Sequence, residues 1–72
     1  MKILLNGEPF ETPGPLSVAA LLARLGIDSR RVAVEHNLKV LKRATFDEVE
    51  VREGDQLEIV NFVGGGAAPS GD

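Results

Sequence analysis

The sequence predicts an α+β domain in which a mixed sheet of about four to five strands packs on one main helix. Three observations support this prediction: an opening hairpin, a single helix capped by Ser17, and β-patterned segments that continue to residue 62. With strands before and after one helix in 72 residues, the helix covers one face of the sheet. A domain this short buries only roughly 60% of its unfolded surface, so an enclosed catalytic pocket is not expected.

The first element is a hairpin in which residues 3–5 and 8–11 flank Asn6-Gly7. An Asn-Gly pair favours the positive φ angles of a type I′ turn. Pro9 has no N–H to donate to a neighbouring strand, so its strand is expected at a sheet edge or with its missing donor facing outward. If the last strand pairs in parallel with the first, we expect this hairpin to be central in the sheet.

The helix is predicted over residues 18–25. Ser17 is a favourable N-cap, and Gly26 suits the first position beyond the C-cap. Apolar residues recur on one side of this segment, and Arg24 is its only charged residue. We therefore expect a core-facing helix of about two turns rather than a helix that binds a partner.

The second half of the chain predicts four strands. Residues 32–36 and 48–51 alternate in polarity, 40–41 form a short strand, and a turn at 53–55 leads into a last strand over 56–62. One helix with strands in this order indicates a ubiquitin-like β-grasp. The predicted core is Ile3, Leu5, Val18, Leu21, Leu22, Leu25, Val32, Val34, Leu57 and Ile59.

Composition argues against several classes of function. The net charge is −3 and the only aromatic residues are three phenylalanines, so neither a basic face nor a stacking platform for nucleic acid is expected. The chain has no cysteine, which excludes disulfides and thiolate metal sites. The single histidine, His36, is interpreted as a strand residue rather than a metal ligand. No segment is long and apolar enough for a signal peptide or a membrane span, so a cytoplasmic location and no membrane partner are expected.

A glycine run, Gly64-Gly65-Gly66, follows the last strand directly. We therefore divide the chain into a domain over 1–63 and a flexible C-terminal tail over 64–72. Glycine lacks a Cβ, so such a tail is narrow and lets other groups approach its backbone closely. Composition by itself favours an ordinary frayed terminus.

Two blocks carry a family resemblance: Val-Ala-Val-Glu-His-Asn at 32–37, and Glu-Gly-Asp-Gln-Leu-Glu-Ile-Val-Asn-Phe-Val-Gly-Gly-Gly at 53–66. With the Asn-Gly hairpin and the capped helix, they resemble the ThiS family of sulfur carriers in thiamine biosynthesis over residues 1–66. The resemblance implies a carrier protein and not an enzyme, with no cofactor of its own. It implies that a ThiF-like adenylating enzyme uses ATP and magnesium to activate the carboxylate of Gly66.

The same resemblance implies the later steps and the partners. A sulfur-donating persulfide protein converts the activated Gly66 into a thiocarboxylate, which donates sulfur to a ThiG-like thiazole synthase. Gly64 and Gly65 thread the tail into the partner's active site. Val60, Phe62 and Val63 are the expected partner interface, with Phe62 packed on its own sheet as the alternative.

The chain departs from the family pattern after Gly66, where six residues follow. Gly66 is then held in a peptide bond and has no free carboxylate, so we expect a processing protease to remove residues 67–72. Two other functions remain open from sequence. The carrier could serve molybdopterin synthesis or another thiocarboxylate pathway, or the domain could be a β-grasp binding module that carries no sulfur.

Overall fold

The computed structural model describes residues 1–61, and the predictions for Phe62, Val63 and the glycine run lie outside the described residues. Residues 1–61 form one α-helix, two short 3₁₀ turns (Ser29–Arg31 and Arg43–Thr45) and seven strands. In chain order these are β1 (Lys2–Leu5), β2 (Glu8–Glu11), β3 (Leu16–Ser17), α1 (Val18–Arg24), β4 (Val32–His36), β5 (Lys39–Val40), β6 (Glu50–Val51) and β7 (Gln56–Asn61).

The main sheet has five strands in the order β2-β1-β7-β4-β5. Strands β1 and β7 are parallel, with Leu5 opposite Leu57, and the remaining pairs are antiparallel, so the sheet is mixed as predicted. The expectation of a central opening hairpin is wrong, because β7 takes the centre and β2 is an edge strand. Pro9 lies in β2, and the edge position predicted for it is confirmed.

The helix forms where the sequence places it. The Ser17 hydroxyl accepts a hydrogen bond from the Ala20 N–H at 3.0 Å, which satisfies one of the free donors of the first turn. Gly26 has φ +72°, and the N–H groups of Gly26 and Ile27 bond to the carbonyls of Ala23 and Leu22. This pattern is a Schellman motif, which requires a left-handed residue after the C-cap and so favours glycine.

The core lies between α1 and one face of the sheet. Seven of the ten predicted core residues are buried, and Leu5, Leu25 and Ile59 pack against them as half-buried neighbours. Phe46 and Val51 are also buried, at 4% and 0% exposed, and neither was among the predicted core residues. We call the opposite face of the sheet, which points away from α1, the outer face.

A second, two-stranded sheet was also missed from the sequence. Strand β3 pairs with β6, with Leu16 opposite Val51, and the predicted strand over 48–51 shortens to Glu50–Val51. The first two N–H groups of α1 also bond to the segment around β6: Val18 donates to the Val49 carbonyl and Ala19 to the Phe46 carbonyl. The start of α1 is thereby fixed to the segment that precedes β7.

Candidate functional site

Strand β7 is the element that delivers the chain to the glycine run. It pairs with β1 on one side and with β4 on the other, where Asn61 lies opposite Val32. Val60 points to the outer face opposite Ala33 and is 58% exposed, so this member of the predicted interface is available to a partner. Phe62, Val63, Gly64, Gly65 and Gly66, the other predicted site residues, lie outside the described residues.

Asn6 holds the second half of β7 from the side of β1. Its backbone has φ +52°, as the predicted turn requires, and its side chain turns towards Ile59. The Ile59 N–H donates to Asn6 Oδ1 at 2.7 Å, and Asn6 Nδ2 donates to the Ile59 carbonyl at 3.3 Å. Because backbone pairing with β1 reaches only Leu57, the amide side chain continues the ladder by one step towards the end of the strand.

Asn37 holds the start of β7 from the side of β4. Its backbone N–H donates to the Gln56 carbonyl at 2.8 Å, and its Oδ1 accepts from the Gln56 N–H at 2.9 Å. Asn37 also has a positive φ of 51°. Two asparagines in the left-handed region, one in each hairpin turn beside β7, thus satisfy the backbone groups of two residues of the central strand. They fix the register of the strand from which residue 62 continues.

His36 and Asp55 form a half-buried pair at the beginning of β7. His36 Nε2 lies 2.7 Å from Asp55 Oδ2, with the two side chains 19% and 17% exposed. Burial raises the pKa of the Asp55 carboxyl, but hydrogen bonds from His36, the Arg52 N–H and Asn37 outweigh it, so the pKa lies below its ordinary value. His36 is a strand residue as predicted, and it also ties β4 to the turn before β7.

The pairing of His36 with Asp55 was not predicted from the sequence. Nineteen positions separate the two residues, and a single sequence contains no signal that joins them. They border an open polar cleft of about 630 Å³, lined by Ser17, His36, Asn37, Asp47, Glu48, Val49, Glu50, Arg52 and Asp55. Within residues 1–61, no group of three or more His, Cys, Asp or Glu side chains is arranged to hold a metal ion.

No helix among residues 1–61 has the length and the apolar character needed to cross a membrane.

Comparison with known proteins gives a consistent result. The model of the ThiS family matches residues 3–66. A solved structure of the thiamine biosynthesis protein ThiS from Geobacter metallireducens superposes with a TM-score of 0.81 at 39% identity, and the match covers 92% of this chain and all of that chain. The sulfur carrier protein ThiS of Bacillus subtilis is 38% identical over 50 residues, which are 69% of this chain and 76% of that protein.

A longer relative has a different name. A thiazole synthase of Paramagnetospirillum magneticum is 48% identical over 67 residues, which are 93% of this chain. The matched segment is only 21% of that protein, so this chain spans about a fifth of the length of such relatives. In that protein, a domain similar to this chain is part of a polypeptide named as a thiazole synthase.

Proposed function

This chain belongs to the ThiS family, and on that premise we propose that it carries sulfur as a thiocarboxylate on Gly66. The family match, the Bacillus relative and the Geobacter structure support a sulfur carrier for thiamine biosynthesis that is not itself an enzyme. In more detail, the Gly66 carboxylate is first adenylated and is then converted to a thiocarboxylate. The thiocarboxylate donates its sulfur to thiazole synthase. The partner enzyme supplies ATP, magnesium and catalysis.

The observation that supports this proposal is the way in which β7 is held. The Asn6 side chain bonds to the N–H and the carbonyl of Ile59, and Asn37 bonds to both groups of Gln56 through its side-chain oxygen and its backbone N–H, so the central strand is held as far as Ile59. A carrier that presents its terminus to an enzyme gains from a rigid base, because less conformational freedom is then lost on binding. Gly64 and Gly65 are proposed to pass through the enzyme's entrance, where a side chain would obstruct them.

The interface with the adenylating enzyme is proposed to be centred on Val60, Phe62 and Val63. The exposure of Val60 on the outer face supports this placement. Interface anchors are often large apolar or aromatic side chains at the centre of a contact, and Phe62 is the large aromatic side chain nearest to the glycine run.

We further propose that residues 67–72 are removed before Gly66 reacts. An amide carbonyl at Gly66 offers no carboxylate oxygen to ATP, so the extended chain is not a substrate for adenylation. The family model matches up to residue 66, which supports Gly66 as the reacting terminus.

The test is intact-protein mass spectrometry. A chain ending at Gly66 is incubated with a ThiF-type enzyme, ATP, magnesium and a sulfur donor, and the expected product has one oxygen replaced by sulfur at the C-terminus. The 72-residue chain is the matched control and is expected to remain unchanged. An unmodified chain ending at Gly66, under conditions in which the enzyme modifies its own carrier, contradicts the proposal. If protein from the native host is all full length, the processing step is wrong.

A further inference from the structure

The β4–β5 turn has a residue whose conformation opposes folding and whose side chain is left in solvent. Leu38 has φ +72°, in the left-handed region that L side chains other than asparagine rarely adopt, and 81% of its surface is exposed. Glycine at this position would remove the conformational cost. A strained and exposed leucine contributes nothing to the core, which indicates a role in contact with another molecule.

Leu38 borders a groove of about 160 Å³ on the outer face, which we call the outer groove; it is lined by Leu4, Gly7, Glu35, Leu38, Gln56, Leu57 and Glu58. Glu35 of β4 lies directly opposite Glu58 of β7. Like charges that face each other across two strands destabilise a sheet. Neither carboxylate has an ion-pair partner within residues 1–61. The groove therefore combines apolar walls with two unneutralised negative charges.

We propose that the outer groove binds one long cationic side chain, an arginine, on the surface of thiazole synthase. The inference rests on the proposed function and identifies a docking contact for one of its partners. The aliphatic stem of an arginine lies along Leu4 and Leu38, and its guanidinium reaches Glu35 and Glu58. Val40 pairs with Glu35 on the same face and is 73% exposed, which extends the apolar rim of the contact.

The charges of the groove decide between possible occupants. A second copy of this chain placed face to face would bring its own Glu35 and Glu58 towards the same carboxylates, which is repulsive. Nucleic acid and anionic lipid are repelled for the same reason. A cationic protein surface is the occupant that these two charges favour.

Thiazole synthase is chosen because a relative has the same kind of domain in one chain with that name. In that relative, the covalent connection raises the effective concentration of the two domains, so a contact of modest size is enough to orient them. The groove is lined by the first three residues of β7, and the strand ends at Asn61, three residues beyond Glu58 and about 10 Å away at the spacing of strand residues. A synthase bound at the groove therefore contacts the strand along its length and directs the C-terminus into its own active site.

The experiment measures two reactions on the same variants of the chain ending at Gly66. The variants are Leu38→Asn, which tolerates a positive φ, and the double variant Glu35→Gln with Glu58→Gln; Glu48→Gln in the polar cleft is the matched control. Binding to a purified thiazole synthase is measured by titration at low and at physiological salt. Thiocarboxylate formation by a ThiF-type enzyme is measured by intact mass.

We expect the double variant to bind the synthase about tenfold or more weakly and to lose most of the salt dependence of binding. Leu38→Asn is expected to weaken binding by a similar factor, and Glu48→Gln to leave it unchanged. Thiocarboxylate formation is expected to be unchanged in all three variants. This separation between the two partners is a readout that a purely structural role of these residues would not produce.

Three outcomes overturn the inference. The first is unchanged binding in the double variant. The second is loss of thiocarboxylate formation with synthase binding intact, which assigns the groove to the adenylating enzyme. The third is a self-associated chain in sedimentation velocity that Leu38→Asn converts to a monomer, which assigns it to a second copy. If the wild-type chain accepts no sulfur but binds the synthase through the groove, the thiocarboxylate mechanism fails while the docking contact stands.

Discussion

The contribution of the Asn6 side chain to stability can be tested by three substitutions at one position. Asn6→Gly retains a residue suited to φ +52° and removes both hydrogen bonds to Ile59. Asn6→Asp retains an acceptor for the Ile59 N–H but cannot donate to the Ile59 carbonyl. Asn6→Ala removes both hydrogen bonds and also places a Cβ in the left-handed region without a polar side chain to support it.

The expected magnitudes follow from the geometry. A hydrogen bond contributes about 0.5–1.5 kcal/mol net, and water reaches this exposed position, so the loss in Asn6→Gly is expected at about 1–2 kcal/mol for the two bonds. Asn6→Asp is expected to lose about half of this amount. Asn6→Ala is expected to lose about 2–4 kcal/mol, because the left-handed conformation adds about 1–2 kcal/mol.

Thermal and urea unfolding followed by circular dichroism are the appropriate assays, because the chain has no tryptophan or tyrosine for fluorescence. In a domain of this size each kcal/mol lowers Tm by about 4–8 °C, so the three variants are resolved from one another. The expected order of Tm is wild type, Asn6→Asp, Asn6→Gly and Asn6→Ala. A melt of Asn6→Gly that coincides with wild type refutes a stabilising role for the side-chain amide. Equal losses in the glycine and alanine variants refute the argument from positive φ.

Three further predictions concern the core, the strained turn and the paired carboxylate. Leu22 is 1% exposed, so Leu22→Ala is expected to lower the free energy of unfolding by about 2–5 kcal/mol in urea titrations. The matched control Leu4→Ala, at 36% exposed, is expected to lose less. Equal losses in the two variants would show that the buried face of the helix is assigned incorrectly. Leu38→Gly is expected to raise stability by about 0.5–1 kcal/mol, since it relieves a left-handed leucine, and a lower Tm would contradict the assigned strain. The pKa of Asp55 is lowered in the folded state, so its ionised form stabilises the protein above about pH 4, and this contribution is lost as pH falls through the folded-state pKa. Asp55→Asn should therefore be less stable than wild type at neutral pH, with a difference that narrows in acid; a constant difference across pH would exclude an ionic origin.

Much of the architecture was predictable because it rests on local chemistry. The Asn-Gly turn, the Ser17 cap and the Gly26 C′ position each satisfy a conformational requirement that only a few residue types meet, and the structure confirms all three. The apolar stripe of the helix was equally visible, since Leu21 and Leu22 follow the helical period and are buried.

The features that were not predicted lie where residues far apart in sequence come into contact. Phe46 and Val51 lie in the segment between β5 and β7, and their burial depends on the contacts that this segment makes with β3 and the start of α1. The pairing of β3 with β6 has the same cause. The hairpin was placed centrally because the parallel pairing of β7 with β1 fixes one neighbour of β7 but does not show that β4 and β5 extend the sheet on its other side, which makes β7 the middle strand of five.

The sequence by itself determined the fold class, the family and the residue proposed to bear sulfur, because these depend on local pattern and on motifs near the end of the chain. Only the tertiary structure decided how the last described strand is held. Asn6 is 53 positions from Ile59, and Asn37 is 19 from Gln56, so their hydrogen bonds exist only once the sheet has assembled. The outer groove has the same origin, since Glu35 and Glu58 face each other only through the pairing of β4 with β7. Contacts of this kind depend on chain folding over long sequence separations, and one sequence read locally does not encode them in a visible pattern.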